Sequence, residues 1–434
     1  MMIKSMPKRW LYVSGIFAVI TIACYALLLN PVFQESAGFH LNQWTGQLRV
    51  LLNPPAAVAF SNAPQGDAVT TLVDVPQIDD PAGSLADTGE EDNTVYNFEP
   101  VPLSCAIEGG AYFSQHNKWN YCGPANIAMA LSYWGWEGTA DEAASVLRTY
   151  NKDKNVMPYE MADFVREEAG LGALVRVGGD LDTLKRLIAA GFPVVVEKGP
   201  HFRDINYQMT WMGHYQTLTG YNDPGSYFIA QDSYIEPNFH QPYDTLIGEW
   251  RSFNYTYLVI YPPEKENDVL NLLGKDANET RNYQNALKKA QDEIYETTGV
   301  NQFFAMFNYG SNLVYLRDYS GAAKAYDQAF LMYDALPTDD AIRPYRILWY
   351  QTGPYYAYYY TGRYADVIEK ATRNSIEMVR DNLPALEESY YWRGMAKVAI
   401  GDEDGGEDDF RTCLEYHQDF NPCVLELNKL GIYL

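Results

Sequence analysis

The chain has 434 residues, a formal net charge of −24 and 47% hydrophobic residues. That length exceeds what one hydrophobic core usually organises, so two folded units joined by linkers are expected. The acidic balance, with no Lys/Arg cluster outside the first nine residues, argues against a nucleic-acid or other polyphosphate partner.

The first predicted element is an uncharged segment of 20 residues, Trp10 to Leu29, which is long enough to cross a bilayer as a helix. Basic residues precede it within residues 1–9, and the next positive charge is Arg49. The positive-inside rule therefore predicts a cytoplasmic N-terminus and an extracytoplasmic remainder. A cleaved secretory signal is the alternative, because Ala23 and Ala26 have the spacing of a cleavage site. Three leucines would then begin the mature chain, so we favour an uncleaved membrane anchor at residues 10–29.

Residues 30–100 are predicted to form an extracytoplasmic linker. From Pro54 to about Pro102 the sequence is rich in Pro, Ala, Asp, Gly and Thr and has no sustained apolar period. Loose chain of about 45 residues has a root-mean-square span on the order of 35 to 40 Å. Such a linker would hold the next domain clear of the lipid headgroups.

A mixed domain is predicted at residues 101–262. Sequence typical of helices comes first, at Cys122 to Trp134 and Thr139 to Arg148. The predicted strands follow at Phe192 to Glu197, Tyr215 to Tyr221, Tyr227 to Gln231 and Tyr255 to Tyr261. This order predicts an α+β domain with a helical lobe, an antiparallel sheet and a groove between them.

Residues 263–434 are predicted to be all-α. Small and aromatic residues recur in three stretches, Asn308 to Ala329, Tyr356 to Ala371 and Trp392 to Leu414. The pattern resembles tetratricopeptide repeats, in which a small residue lets paired helices approach closely. A generic helical bundle is the alternative, because successive repeats are offset by 45 and 39 residues (318 to 363 and 363 to 402), whereas about 34 is usual.

Cys122 is the candidate nucleophile because it lies where a polar loop enters an apolar helix. A thiol at a helix start faces unpaired backbone N–H groups and the positive end of the helix dipole, which both favour the thiolate. Gly123 permits close approach, and Pro124 suits the first helical turn because it has no N–H to leave unsatisfied. A lone cysteine in this position is more often a small buried hydrophobe, so its assignment depends on the surrounding motifs.

Those motifs are Gln115, seven residues before the Cys122-Gly-Pro-Ala segment, and Gly213-His-Tyr-Gln-Thr-Leu-Thr-Gly-Tyr221 far downstream. With Asn155 to Met161 and Gly191 to Val195, they make residues 101–262 resemble papain-like cysteine peptidases of the bacteriocin-processing branch, cysteine peptidase family 39. The resemblance implies four site residues: Cys122 as nucleophile, His214 as general base, Asp232 as the acid that orients it, and Gln115 as oxyanion-hole donor. The family's double-glycine leader peptides are cleaved at the cytoplasmic face, opposite to the orientation predicted here, so the substrate stays open.

His214 is the one of six histidines that opens a predicted strand. If Tyr221 pairs with Ser226 across the following turn, a one-residue bulge is needed to place Asp232 on the imidazole face. Asp232 could instead be a turn former at the strand end, and Asp223 is a poorer candidate because it lies in the turn itself.

The sequence therefore predicts a membrane-anchored, extracytoplasmic cysteine peptidase that acts on a peptide or protein substrate through a thioester and needs no cofactor. The helical repeats would recruit a partner or the substrate. The five cysteines show no zinc-type spacing, and Cys413 could pair with Cys423 if the chain turns at Asn421-Pro422. Two alternatives remain: an inactive peptide-binding surface scaffold, and an acyl transferase that passes the thioester to an amine.

Overall fold

The computed structural model describes residues 96, 98–115, 118, 120–148, 155–203, 209–339, 342–373, 386–418 and 420–433. One compact unit comprises residues 68–202 and 209–434, and a second comprises residues 1–67 and 203–208, of which Arg203 is described. The predicted N-terminus (1–9), anchor (10–29) and linker up to residue 95 lie outside the described residues. Within the described ranges, no helix combines the length and apolarity needed to cross a bilayer.

The mixed domain contains a seven-stranded sheet with helices packed on it. Its elements, in chain order, are β1 (Ser104–Ala106), α1 (Cys122–Ser132), α2 (Ala140–Leu147), α3 (Pro158–Glu167), β2 (Gly172–Arg176), α4 (Leu181–Ala189), β3 (Val194–Lys198), β4 (His201–Arg203), β5 (Met209–Trp211), β6 (His214–Asn222), β7 (Tyr227–Gln231), β8 (Phe239–Pro242), α5 (Tyr243–Arg251) and β9 (Tyr257–Tyr261). The two predicted helices and four predicted strands are present, with bounds that differ by a few residues. The elements that are additional to the prediction are α3, α4, α5, β1, β2, β4, β5 and β8.

The sheet is antiparallel throughout, in the strand order β2-β9-β3-β6-β7-β8. The central strand β6 pairs along its start with β3, where Lys198 is opposite His214. The C-terminal end of β6 pairs with β1, where Ala106 is opposite Gly220. β4 and β5 form a separate two-stranded sheet. His214 therefore stands at the first position of the strand that holds most of the sheet together.

The β6–β7 register differs from the pairing considered in the sequence. Asn222 pairs with Tyr227 and Tyr221 with Phe228, so the trial pairing of Tyr221 with Ser226 is wrong. A bulge is present, and it lies on β6 between Leu218 and Gly220. Beyond it Thr217 pairs with Gln231, which moves the end of β7 toward the start of β6.

Buried apolar side chains fill both faces of the sheet because successive strand residues point to opposite sides. On one face, Val195 of β3 joins a cluster with α1, α2 and α3. On the other, Val194 and Val196 join a cluster with α4, α5 and α6 (Glu266–Leu273). The sheet is thus covered on both faces, which corrects the predicted helical lobe on one side. Because α6 belongs to this cluster, the core of the mixed domain extends beyond the predicted boundary at residue 262.

The helical region that follows contains α7 (Glu279–Glu296), α8 (Gly299–Tyr315), α9 (Tyr319–Ala335), α10 (Gly353–Tyr360), α11 (Tyr364–Ala371), α12 (Glu387–Ala399), α13 (Glu403–Tyr416) and α14 (Asn421–Lys429). Three antiparallel pairs, α8–α9, α10–α11 and α12–α13, occupy the three predicted stretches. Close packing needs glycine at Gly310, where a Cβ would stand 2.9 Å from the Tyr326 ring, and at Gly394, where it would stand 2.7 Å from Phe410. The assignment of these pairs to tetratricopeptide repeats stays a prediction.

Cys413 and Cys423 form a disulfide, with their Cα atoms 6.6 Å apart. α13 ends at Tyr416 and α14 begins at Asn421, so the chain reverses between the two cysteines as their pairing requires. The bond therefore joins the last two helices.

An apolar cluster connects the mixed domain to the helical region. The Trp211 ring lies 5.4 Å from that of Phe253 and 5.8 Å from that of Phe304 of α8. All three belong to one buried cluster that continues through α8, α9 and α10. We call this set the shared cluster.

Candidate active site

Cys122 is the first residue of α1, and the residues that follow it from Gly123 to Leu131 are buried. The apolar helix is fixed against the sheet, while Cys122 itself stays partly exposed at its N-terminus. The backbone N–H groups of Gly123 and Tyr215 donate to its sulfur. The predicted nucleophile therefore occupies the position at a helix start that stabilises a thiolate.

His214 lies between Cys122 and Asp232. Its Nε2 is 3.0 Å from Oδ1 of Asp232, and its imidazole hydrogen-bonds to the Cys122 thiol. Because Nε2 faces the carboxylate, Nδ1 is the ring nitrogen left for the sulfur. His214 is 2% exposed and Asp232 is fully buried. The structure thus brings together three of the four predicted site residues as one hydrogen-bonded series.

Asp232 is held by donors other than His214. Its Oδ1 also accepts hydrogen bonds from the backbone N–H groups of Tyr234 (2.9 Å) and Ile235 (3.0 Å). Its Oδ2 accepts one from Nε2 of Gln216 (2.8 Å), two residues after His214 on β6. These bonds fix the carboxylate in the charged form and in one orientation. Asp232 directly follows β7, at the strand end where a turn former was the alternative, and from there its Oδ1 contacts the imidazole.

The charges of the three groups depend on one another. Burial alone would lower the pKa of His214, but the Asp232 carboxylate and the Cys122 sulfur raise it to about 9. Burial would likewise raise the pKa of Asp232, yet His214 holds it well below the usual range. The pKa of Cys122 is lowered because the His214 hydrogen bond and charge outweigh its burial. The arrangement favours a thiolate–imidazolium pair at neutral pH.

Gln115 is buried, and it is bonded to Ser233, the residue that follows Asp232. Oγ of Ser233 donates to Oε1 of Gln115 at 2.7 Å, and the backbone N–H of Gln115 donates to the Ser233 carbonyl at 2.8 Å. With Oε1 engaged in this way, the amide Nε2 is left to donate elsewhere. This geometry suits the predicted oxyanion donor.

Asn126 links the helix to the strands from a fully buried position one turn after Cys122. Its Nδ2 donates to the backbone carbonyl of Tyr215 at 2.8 Å and lies 3.0 Å from Oγ of Ser233. Its Oδ1 accepts from Oγ1 of Thr217 at 3.0 Å. Asn126 therefore fixes α1 against β6 and the turn that follows β7.

A cavity of about 20 Å³ opens beside the thiol. Its lining residues are Asn120, Cys122, Gly123, Asn155, Val156, Glu197, Gly213, Tyr215 and Tyr350. Glu197 of β3 is 5% exposed, and burial raises its pKa to about 8. Tyr350 comes from the helical region. The cavity therefore combines a buried acid from the sheet with a side chain from the following region.

The sequence reasoning missed four of these residues. Asn126 and Gln216 carried a usable signal, because each is a polar residue at a same-face spacing from a predicted site residue: i+4 on a helix, i+2 on a strand. Glu197 carried one too, as an acid ending a buried apolar run. Nothing in the sequence connects Tyr350 with a site more than 100 positions earlier. Among the described residues no cluster of His, Cys, Asp or Glu is placed to hold a metal ion.

Comparisons with known proteins identify one matching family. Residues 108–260 match the model of the Peptidase_C39 like family, so the chain contains a C39-like peptidase domain, as the motifs predicted. A solved structure described as a C39-like peptidase from Bacillus anthracis is similar at 14% identity and a TM-score of 0.28, over 35% of this chain and 97% of that chain. No curated protein matches the chain.

Proposed function

We propose that this chain is a cysteine peptidase that hydrolyses peptide bonds through a thioester intermediate. Cys122 is the nucleophile, His214 the general base and acid, Asp232 the group that orients His214, and Gln115 the oxyanion donor. The supporting observation is the hydrogen-bonded series Cys122–His214–Asp232 at the start of an apolar helix, inside a C39-like domain.

The reaction follows from the positions of these groups. The Cys122 thiolate attacks a substrate carbonyl carbon, and the negative charge that develops on the oxygen is stabilised by a backbone N–H and Nε2 of Gln115. As the C–N bond breaks, imidazolium His214 gives its proton to the leaving amine. A water molecule then attacks the thioester, His214 takes its proton, and the carboxylic acid product leaves with the thiolate restored.

The proposal places the catalytic domain outside the cell membrane, anchored by residues 10–29. The Cys413–Cys423 disulfide supports an oxidising compartment, because reduced cytosol rarely maintains such bonds. The helical region is proposed to hold a partner or the substrate. Its packing on Trp211 and Phe253 supports a position close to the cleft.

The test uses the full chain in detergent and its Cys122→Ala variant. Hydrolysis of a synthetic peptide mixture and alkylation by iodoacetamide are both followed by mass spectrometry. We expect cleavage only with Cys122 present and alkylation of Cys122 near neutral pH. The matched control is Cys105→Ala, since Cys105 is the other described cysteine outside the disulfide. Equal hydrolysis by the chain and its Cys122→Ala variant would remove the proposal.

The scaffold alternative draws support from the narrowness of the cavity, which at about 20 Å³ has room for about one water molecule. A domain that binds peptides without cleaving them would show no hydrolysis of the mixture. It would still retain peptides on a column of the immobilised chain. That result together with an unreactive Cys122 would favour the scaffold.

A further inference from the structure

Glu197 carries a buried carboxyl group that peptide hydrolysis by Cys122 does not require. The Tyr215 hydroxyl donates to the Val156 carbonyl at 2.8 Å and also hydrogen-bonds to Glu197. Glu197 is 5% exposed, and burial raises the pKa of its carboxyl group to about 8. Within the described part of the chain, no Lys or Arg forms an ion pair with Glu197. Among the described residues, the carboxyl group therefore has no cationic partner at the cavity.

The cavity favours a small positive group. Two groups that can be negative, the Cys122 thiolate and the Glu197 carboxylate, line the same small space, and the charge on Cys122 adds to the effect of burial in raising the pKa of Glu197. An ammonium group entering between them would be attracted by both and would allow Glu197 to ionise. The volume of about 20 Å³ holds a group the size of one water molecule, which is also the size of an ammonium group.

Tyr350 also forms part of the wall of this cavity. A Cβ built at Gly213 would lie 2.8 Å from the Tyr350 ring, so glycine is what allows this ring to approach. The same ring packs 5.6 Å from the Phe253 ring and 5.7 Å from the Trp211 ring. Its wall is thus backed by the shared cluster, and the cavity has no room for a polypeptide that continues past it.

We infer that this cavity binds the free amino terminus of a peptide through Glu197, which makes the chain an exopeptidase that acts at amino termini. The inference rests on the proposed function. The thiolate attacks the carbonyl carbon of the first or second residue, and the remainder of the peptide leaves as an amine with a proton from His214. Water then releases the one- or two-residue fragment from the thioester, and Cys122 is restored.

The test compares peptides with free and acetylated amino termini. Lysine-free synthetic peptides, in both forms, are incubated with the full chain and the cut positions are read by mass spectrometry. We expect cuts at the first or second peptide bond, at least about tenfold faster for the free form, as one hydrogen bond to a charged group provides. Internal cuts, or equal rates for the two forms, would overturn the inference while leaving the peptidase proposal intact.

Two variants separate the acid from the wall. Glu197→Gln keeps the shape of the side chain and should slow terminal cleavage about 10- to 100-fold, removing the preference for the free form. Its control is Glu167→Gln, which makes the same charge change at an exposed site. Tyr350→Ala should admit internal cuts. If Glu197→Gln still prefers the peptide with a free amino terminus, the assignment of Glu197 fails. The comparison of free and acetylated peptides uses the unmodified chain, so it does not depend on either variant folding.

Failure of the proposed function looks different. It would appear as no cleavage of either peptide form together with a Cys122 that iodoacetamide does not modify. A reactive Cys122 with neither peptide form cleaved would overturn the amino-terminal inference, because free termini would then not be substrates.

Discussion

The Tyr350 ring lies against Gly213, the residue immediately before His214, so close that a Cβ on Gly213 would stand 2.8 Å from it. Gly213→Ala should therefore displace either the ring or the start of β6. We expect a loss of about 1 to 3 kcal/mol in the free energy of unfolding, the usual cost of overpacking, and slower alkylation of Cys122. Urea unfolding and iodoacetamide kinetics measure the two effects. Gly248→Ala is the control, because a Cβ there meets nothing within 4 Å, and equal behaviour of the two variants would contradict the expectation.

Asp232→Asn should raise the pKa of the Cys122 thiol and so lower the fraction of thiolate at neutral pH. Asp232 raises the pKa of His214, and His214 lowers that of Cys122, so without the carboxylate the imidazolium loses its proton at lower pH. The alkylation rate at pH 6 to 7 should then fall roughly tenfold for each unit by which the thiol pKa rises. The measurement is the pH profile of alkylation. The control is Asp223→Asn on the same hairpin, which should not change the pH profile of alkylation. If the profile shifts equally in both variants, the effect comes from the hairpin and not from Asp232.

Gln115→Ala should separate the two assays of the site. Removing an oxyanion-hole donor typically lowers kcat by 10²- to 10³-fold, whereas alkylation by iodoacetamide forms no oxyanion. We expect peptide hydrolysis to fall by that factor and alkylation of Cys122 to change by less than about threefold. Gln231→Ala removes an amide that bonds Thr219 and Asn238 instead, and it should affect neither assay. A parallel loss of alkylation in Gln115→Ala would indicate that Gln115 positions the thiol.

Glu197→Gln should change how stability depends on pH. The folded pKa of Glu197, about 8, lies above its ordinary value of 4.5, so the folded chain binds a proton that the unfolded chain releases between these values. Stability due to this group is full below pH 4.5 and is lost as pH rises toward 8. The variant should gain up to a few kcal/mol relative to the parent chain at pH 8 and nothing at pH 4. Urea unfolding at both values checks this, and a gain of equal size at both would show that the carboxyl does not titrate as stated.

The disulfide should stabilise the end of the helical region. Replacing Cys413 and Cys423 by serine is expected to cost about 2 to 3 kcal/mol, the value for a short closed loop. Thermal unfolding with and without dithiothreitol measures it. Reductant should lower the Tm of the parent chain and leave that of the double variant unchanged. If reductant does not change the Tm of the parent chain, the disulfide contributes nothing to its stability.

The chemistry of the site was readable from the sequence where residue type and local position coincide. Cys122 before an apolar helix and His214 at the start of a β-rich run each carry both signals. Asp232 needed the register of a hairpin, and that register depends on a bulge at Thr219 which no local pattern specifies. Tyr350 reaches the cavity through tertiary packing alone, so its place there could not be predicted.

The fold shows the same division. α1 and α2 were predicted from sequence typical of helices, and the structure adds that Thr139 with Glu142 forms a capping box at the start of α2. α4 was missed although Leu184, Leu187 and Ile188 have helical spacing and are buried. Every residue of β3 and β9 is buried, because both faces of the sheet are covered. The apolar runs in these two strands were the sequence feature from which this covering could have been predicted.

The shared cluster has a consequence for how the molecule melts. Because Trp211 and Phe253 occupy the same apolar interior as Phe304, separating the two regions would bring large aromatic surfaces into water. The C39-like domain and the helices next to it should consequently unfold as one cooperative transition. The helices after β9 therefore support the structure around the candidate site, and a destabilising substitution in α8 should disturb the position of His214.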